Sequence, residues 1–129
     1  MKDRPLIQKL KQQVSVPVFD LSGRLSLAML GALLQRSTLL VSNDSGPVHI
    51  ATAVGTSVVS IFGRYEPGLG PVRWRPLGKK GRVVAKDVSA IPASERKFTY
   101  IDEIPVDDVF HAAQELLLLS EKKGPEKIL

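Results

Sequence analysis

The sequence contains no cysteine, so disulfide bonds and thiolate metal sites are excluded. Its two histidines, His49 and His111, lie far apart, and we expect neither a metal ion nor a cofactor. There is no apolar run long enough to cross a membrane, and the chain does not start with a signal-peptide pattern. These absences predict a cytoplasmic protein.

Acidic residues are scarce in one part of the chain, although the whole chain carries a net charge of only +5. From Arg64 to Arg82, Glu66 is the single acid in a strongly basic stretch. This basic strip fits an anionic partner or, equally, a solvated loop. Aromatic residues are also few there, so we do not expect a nucleic-acid partner. The basic residues are Arg64, Arg73, Arg75, Lys79, Lys80 and Arg82.

The 129 residues are enough for a single domain, and we take 1–129 as one unit. Apolar runs and helical stripes alternate along the chain with short connections, which predicts an α/β fold with a parallel sheet and flanking helices. The long segments 63–81 and 86–100 are expected to be loops. The predicted strands are 14–19, 38–42, 57–62 and 82–85, and the predicted helices are 1–13, 26–36, 46–54 and 105–119.

Two of the predicted helices show an apolar stripe at helical spacing, which should face the core. Ser26 can cap the first of them. His111 lies away from the second stripe and is assigned no role. The stripes are Leu27, Leu30, Leu33 and Leu34 in one helix, and Val106, Val109, Phe110, Ala113, Leu116 and Leu117 in the other.

A polar turn follows the predicted strand 38–42, at the strand edge where open α/β sheets bind ligands. Gly46 lets backbone amides approach a ligand, Ser45 can cap the next helix, and Pro47 suits its first turn. Free amides at a helix start favour an anion such as phosphate, and His49 can reach it from one turn further on.

Asp44 repels a phosphate, so its carboxylate is better suited to accept hydrogen bonds from the hydroxyl groups of an adjoining sugar. The turn is therefore predicted to bind a phosphorylated, hydroxyl-rich ligand. A second interpretation stays open on the residues alone: Ser45 and Pro47 can simply start a helix, with His49 satisfied by the protein itself.

Several segments together resemble the carboxyl-terminal half of the ADP-heptose:lipopolysaccharide heptosyltransferases, glycosyltransferase family 9. The similarity covers nearly the whole chain and rests on the ordered set of motifs rather than on one of them. Its segments are Asp20–Leu27, Ala32–Leu34, Asn43–Ala51, Phe62–Gly63, Glu66–Pro67 and Ile104–Val106.

The resemblance implies a Rossmann-like donor domain of a GT-B glycosyltransferase, truncated at its amino end. The family transfers heptose from ADP-heptose to the lipopolysaccharide inner core, with inversion and without an essential tightly bound metal. By position, Asp44 would contact sugar hydroxyls, the backbone of Ser45 and Gly46 would hold the diphosphate, and His49 would support that loop or the phosphate. Leu25 would pack on the adenine.

Two departures from the family pattern bear on function. The amino-terminal acceptor domain and its presumed aspartate base are absent, so the chain alone is expected to be inactive. Arg64 and Tyr65 replace residues of the commoner Gly-Pro-Thr-Asp-Pro motif, which changes the expected donor pocket. Location at the inner face of the inner membrane also fits the family.

An alternative hypothesis is a non-catalytic nucleotide-sugar-binding or assembly module that keeps only the fold. A truncated sheet would expose an edge and an apolar face, which homodimer formation would cover.

Overall fold

The computed structural model describes residues 4–64, 75–76 and 78–121. Two short 3₁₀ helices, Ala93–Glu95 and Ile101–Glu103, precede the last helix. Tyr65, Glu66, Pro67 and Arg73, which carry parts of the sequence-based predictions, lie outside the described residues. In chain order the elements are α1 (Arg4–Gln13), α2 (Leu27–Arg36), β1 (Leu39–Asn43), α3 (Gly46–Ala53), β2 (Ser57–Phe62), β3 (Gly81–Ala85) and α4 (Val106–Glu121).

The strands form one parallel sheet in the order β1-β2-β3. In β2, side chains on both faces are buried, because β2 is central and helices cover both faces. The predicted parallel sheet with flanking helices is therefore confirmed. All three carboxyl ends lie at one edge of the sheet, which we call the carboxyl edge; the other is the amino edge.

Each face of the sheet has its own core cluster. On one face, Val58 packs with residues of α2 and α3, including Leu34 and Val48. On the other face, Val59 and Val84 pack against Leu116 of α4. Adjacent residues of β2 pack in opposite clusters because side chains alternate between the two faces of a strand.

The prediction of a strand at 14–19 is wrong. The segment that follows α1 is irregular and pairs with no described strand, and Phe19 is 83% exposed. Pro17 cannot donate a hydrogen bond to a ladder, and weak alternation alone does not make a strand where no partner strand lies beside it. The apolar side chains Val16 and Phe19 face solvent instead.

The predicted helix stripes are too wide. In α4 the buried side is formed by Val109, Ala112, Ala113 and Leu116, whereas Phe110 and Leu117 are exposed and Val106 is 82% exposed. In α2 only Leu30 and Leu34 pack on the core, while Leu27 and Leu33 are exposed. Each helix buries a narrow strip because it covers part of a small, three-stranded sheet.

No described helix is both long enough and apolar enough to cross a membrane.

Ser60 in β2 is fully buried, and its Oγ atom has no hydrogen-bond partner among the described residues. A buried hydroxyl without a partner costs free energy. We expect Ser60→Ala to leave the free energy of unfolding unchanged or to raise it by about 1 kcal/mol, measured by urea unfolding. Thr56→Val is the contrasting variant, because the Thr56 hydroxyl donates to the Leu34 carbonyl and its loss should be destabilising. A destabilised Ser60→Ala would show that the hydroxyl has a partner.

Candidate functional site

The turn between β1 and α3 lies at the carboxyl edge, as predicted. The amide of Asp44 donates to the carbonyl of Ile61 in β2, at 3.0 Å, which ties the start of the turn to the neighbouring strand. Ser45 is the N-cap residue of α3 and has an extended backbone, with φ −160° and ψ 170°. Pro47 lies in the first turn of α3, where its missing N–H costs nothing.

The side chain of Ser45 does not cap the helix, which corrects that part of the prediction. Its hydroxyl donates to the carbonyl of Asn43 at 3.0 Å and lies 3.2 Å from the Ser42 hydroxyl oxygen. Pro47 has no N–H to donate to this hydroxyl. The Val48 amide donates to the Ser45 carbonyl instead.

The amides of Ser45 and Gly46 have no acceptor among the residues that the structure describes. Both residues are exposed. Apart from its chain neighbours and its own helix, a Cβ atom placed on Gly46 would meet no atom of the described residues within 4 Å. Two exposed amides without a described acceptor, at the positive end of a helix dipole, form an arrangement that can bind an anion.

Asp44 is half-buried beside this helix start. Burial raises the pKa of its carboxyl group above the ordinary value, because desolvation disfavours the charged form. The charges of His49 and Arg64 act in the opposite direction and lower that pKa. Both basic residues therefore lie close enough to act on Asp44, and the structure brings Asp44, His49 and Arg64 together.

Arg64 enters the site from the end of β2. Its backbone forms an antiparallel bridge with Thr99, and the Tyr100 amide donates to the Gly63 carbonyl at 2.8 Å. The guanidinium carbon of Arg64 lies 5.7 Å from the centre of the Phe98 ring. The segment Phe98–Ile101 is thus fixed against the carboxyl edge.

This segment is braced by ion pairs on Glu103. Lys97 Nζ lies 2.6 Å from one of its carboxylate oxygens and Lys86 Nζ lies 3.5 Å from the other. The hydrogen bond from Lys97 lowers the pKa of Glu103, so the carboxylate stays ionised at neutral pH. Since Lys86 directly follows β3, the brace connects the segment to the third strand.

Phe98 had no role in the sequence-based prediction, which left 86–100 as a loop. No periodic pattern marks it, and its neighbours Arg96 and Lys97 are charged. Its contact with Arg64 depends on a bridge between distant parts of the chain. The one local signal for this contact is a single phenylalanine within a polar loop. In the structure Phe98 is 63% exposed.

Leu25 is partly buried and lies just before the start of α2. The hydroxyl of Ser26 accepts from the Met29 amide at 3.2 Å, so the predicted cap is confirmed. The other end of α2 lies at the amino edge, since the Leu34 carbonyl accepts from Thr56, directly before β2. Leu25 therefore lies towards the carboxyl edge.

The described part of the basic strip is divided between the two edges of the sheet. Arg64 follows β2 at the carboxyl edge, whereas Lys79 and Lys80 precede β3 at the amino edge. Lys80 Nζ donates to the Gly55 carbonyl at 3.0 Å, and Arg82 forms a 2.7 Å ion pair with Glu115. These residues do not form one continuous anion-binding surface.

The amino edge also holds a cavity of about 170 Å³, remote from Asp44. Lys80 and Lys79 line it together with threonines and glycines. Among the described residues, no group of three or more histidines, aspartates or glutamates could hold a metal ion.

A sheet of parallel strands with an anion-binding turn at its carboxyl edge is typical of nucleotide-binding α/β domains. A model of glycosyltransferase family 9 (heptosyltransferase) matches residues 2–100. The chain belongs to this family.

Two curated relatives are similar over most of this chain. Lipopolysaccharide heptosyltransferase 3 of Escherichia coli is 34% identical over 105 residues, covering 78% of this chain and 30% of the relative. Lipopolysaccharide core heptosyltransferase OpsX of Haemophilus influenzae is 30% identical over 84 residues, covering 65% of this chain and 23% of the relative. The chain thus spans less than a third of either relative.

The crystal structure of a family 9 glycosyl transferase from Veillonella parvula has a similar fold. The TM-score is 0.72 at 24% identity, over 92% of this chain and 34% of that one.

Proposed function

We propose that this chain is the donor-binding domain of an inverting GT-B glycosyltransferase, which transfers heptose from ADP-heptose to the lipopolysaccharide inner core. The observation that carries the proposal is the open turn at the carboxyl edge. There, the amides of Ser45 and Gly46 have no described acceptor, and the half-buried carboxylate of Asp44 lies beside them.

The proposed roles follow from the chemistry of each group. The diphosphate lies at the amides of Ser45 and Gly46, where the helix dipole and the N–H groups favour negative charge. Asp44 accepts hydrogen bonds from the sugar hydroxyls, because an ionised carboxylate is purely an acceptor. His49, within electrostatic reach of Asp44, supports the phosphate end of the ligand. Leu25 packs on the adenine.

Family membership supports the class of ligand, since both relatives are named as heptosyltransferases. Binding a donor does not complete the reaction. Inverting transfer also requires an acceptor held in line with the donor and a base to remove its proton. We therefore expect the chain alone to bind ADP and ADP-heptose but to transfer no sugar. A cytoplasmic location at the inner face of the inner membrane belongs to the same proposal.

The test is calorimetric titration of the chain with ADP and with ADP-heptose. We expect ADP-heptose to bind about tenfold more tightly than ADP, equal to about 1.4 kcal/mol, because hydrogen bonds to a charged group have about this strength. Asp44→Asn should remove the difference without weakening ADP binding, since it also removes a charge that repels the diphosphate. The unfolding free energy should not fall, because burial already disfavours the charged form of Asp44.

The pH dependence gives a second readout of the same prediction. The pKa of Asp44 is raised, so the carboxylate becomes protonated at a higher pH than an ordinary aspartate does. The preference for ADP-heptose over ADP should therefore decline as the pH is lowered through this raised pKa, and it should be flat in Asp44→Asn. Wild-type affinities that equal those of both Asp44→Asn and Gly46→Ala would reject the proposed site.

A further inference from the structure

The structure places a cation at the proposed donor site that is fixed at both its backbone and its side chain. Arg64 is exposed, yet its backbone is bridged to Thr99, and the preceding residue, Gly63, accepts from the Tyr100 amide. The guanidinium group lies over the Phe98 ring, at 5.7 Å from the ring centre. A residue at the end of a strand is ordinarily free to follow its loop, whereas this one is restrained on two sides.

The guanidinium group of Arg64 has N–H donors that a ligand can use. Among the described residues, no carboxylate forms a salt bridge with Arg64, although Asp44 lies within electrostatic reach. A cation–π contact uses the charge of the guanidinium group and none of its hydrogen-bond donors, so its N–H groups stay available. These donors match two oxygens of a phosphate group.

The site also needs a positive charge. A diphosphate held at Ser45 and Gly46 would lie near the carboxylate of Asp44, and two amides supply only partial charges against that repulsion. Arginine stays charged at every physiological pH, and Arg64 follows the neighbouring strand at the same edge.

We infer that Arg64 is a further binding residue of this site, whose guanidinium group holds the diphosphate of the sugar nucleotide, and that Phe98 is its positioning residue. The inference rests on the proposed function. It also gives a role to the position where the family motif more commonly has proline. The ligand group recognised is a diphosphate ester, so ADP and inorganic pyrophosphate should both depend on Arg64, whereas adenosine should not.

The experiment compares the wild type with Arg64→Gln, Arg64→Lys, Phe98→Leu and Phe98→Tyr by calorimetric titration at one ionic strength. The probes are ADP, inorganic pyrophosphate and adenosine. Arg64→Gln should weaken ADP and pyrophosphate binding about tenfold, and Arg64→Lys should recover part of the loss. Phe98→Leu should weaken binding about threefold, and Phe98→Tyr should match the wild type because it keeps the ring. In the double variant, Phe98→Leu should add nothing to Arg64→Gln.

Arg36→Gln is the matched control, because it removes the same charge at the far end of α2, away from the carboxyl edge. Its affinities should equal those of the wild type. An equal loss in Arg36→Gln and Arg64→Gln would reduce the effect to net charge and overturn the inference.

The two proposals fail in different ways. If ADP binding depends on Gly46 but not on Arg64, the inference about Arg64 is wrong and the donor site stands. If the wild type binds neither ADP nor pyrophosphate, both are wrong. The thermal unfolding midpoint of each variant shows whether it is folded. For folded variants, a difference in affinity then reports on binding.

Discussion

Replacement of Phe62 by alanine is expected to lower the free energy of unfolding by about 3–5 kcal/mol. Phe62 is 1% exposed and is the largest of the fully buried side chains. It ends the central strand β2, and a closely packed interior relaxes only partly around the space left by a ring. Since domains are stable by only about 5–15 kcal/mol, urea unfolding should show a large fall in the transition midpoint.

Phe110→Ala is the matched control for this substitution. It removes the same atoms from a side chain of α4 that is 59% exposed. We expect a loss below about 1 kcal/mol, as for surface positions generally. Similar losses in the two variants would mean that the core does not lie around β2 as described, and a larger loss in Phe110→Ala would mean that its ring is covered in solution.

The same pair of residues shows what the sequence could and could not predict. The run Ser57–Phe62 is apolar except for its serines, and its strand bounds were predicted correctly because a short run with β-branched residues between two turns is typical of a buried strand. Phe110 falls on a regular helical stripe, yet it is exposed. Periodicity predicts the helix and the centre of its buried side, but the width of that side depends on what the helix covers.

The prediction of a strand at 14–19 was wrong for a related reason. A strand is stable only when a neighbour supplies its hydrogen-bond partners, and no described strand pairs with this one. Local alternation around Pro17 carries no information about such a neighbour. By contrast, β1 and β3 were predicted within one residue at each end, because each lies beside the central strand.

At the candidate site, the sequence predicted the turn but not the contact between Arg64 and Phe98. The turn at Asp44–Gly46 could be predicted because strand, turn and helix follow one another directly in the sequence. The contact of Arg64 with Phe98 could not, since it depends on an antiparallel bridge between Arg64 and Thr99 across a long connection. Tertiary contacts of this kind have no periodic signature.

The turn and Arg64 lie together at the carboxyl edge because the strands are parallel. Three strand ends deliver Asp44, Arg64 and Lys86 to one side of the molecule, and the ion pairs of Glu103 fix the segment that carries Phe98. The positions of Asp44, Arg64 and Lys86 are therefore set by the ends of the strands rather than by the loops. A change that disturbs the docking of this segment should affect binding without touching any group that contacts the ligand.

Gly63→Ala is such a change, and it should both destabilise the chain and weaken ADP binding. A Cβ atom on Gly63 would lie 2.9 Å from the Cβ atom of Ile101 and 3.2 Å from both Ile101 Cδ1 and Thr99 Oγ1. The segment must move away to relieve the overlap, at a cost of about 1–3 kcal/mol. Because the Gly63 carbonyl and the Arg64 backbone both bond to this segment, Arg64 should shift with it. Urea unfolding and ADP titration measure the two effects.

Gly46→Ala separates binding from stability in the same assays. Beyond its own helix and chain neighbours, a Cβ atom there meets no atom of the described residues within 4 Å, so the unfolding free energy should change by less than about 0.5 kcal/mol. The added methyl group lies on the same residue as one of the two amides, however, and should weaken ADP binding because the phosphate can approach the backbone less closely. A Gly63→Ala chain as stable as the wild type would show that the segment Phe98–Ile101 is not docked on β2. Unchanged ADP affinity in Gly46→Ala would show that the phosphate does not lie at this turn.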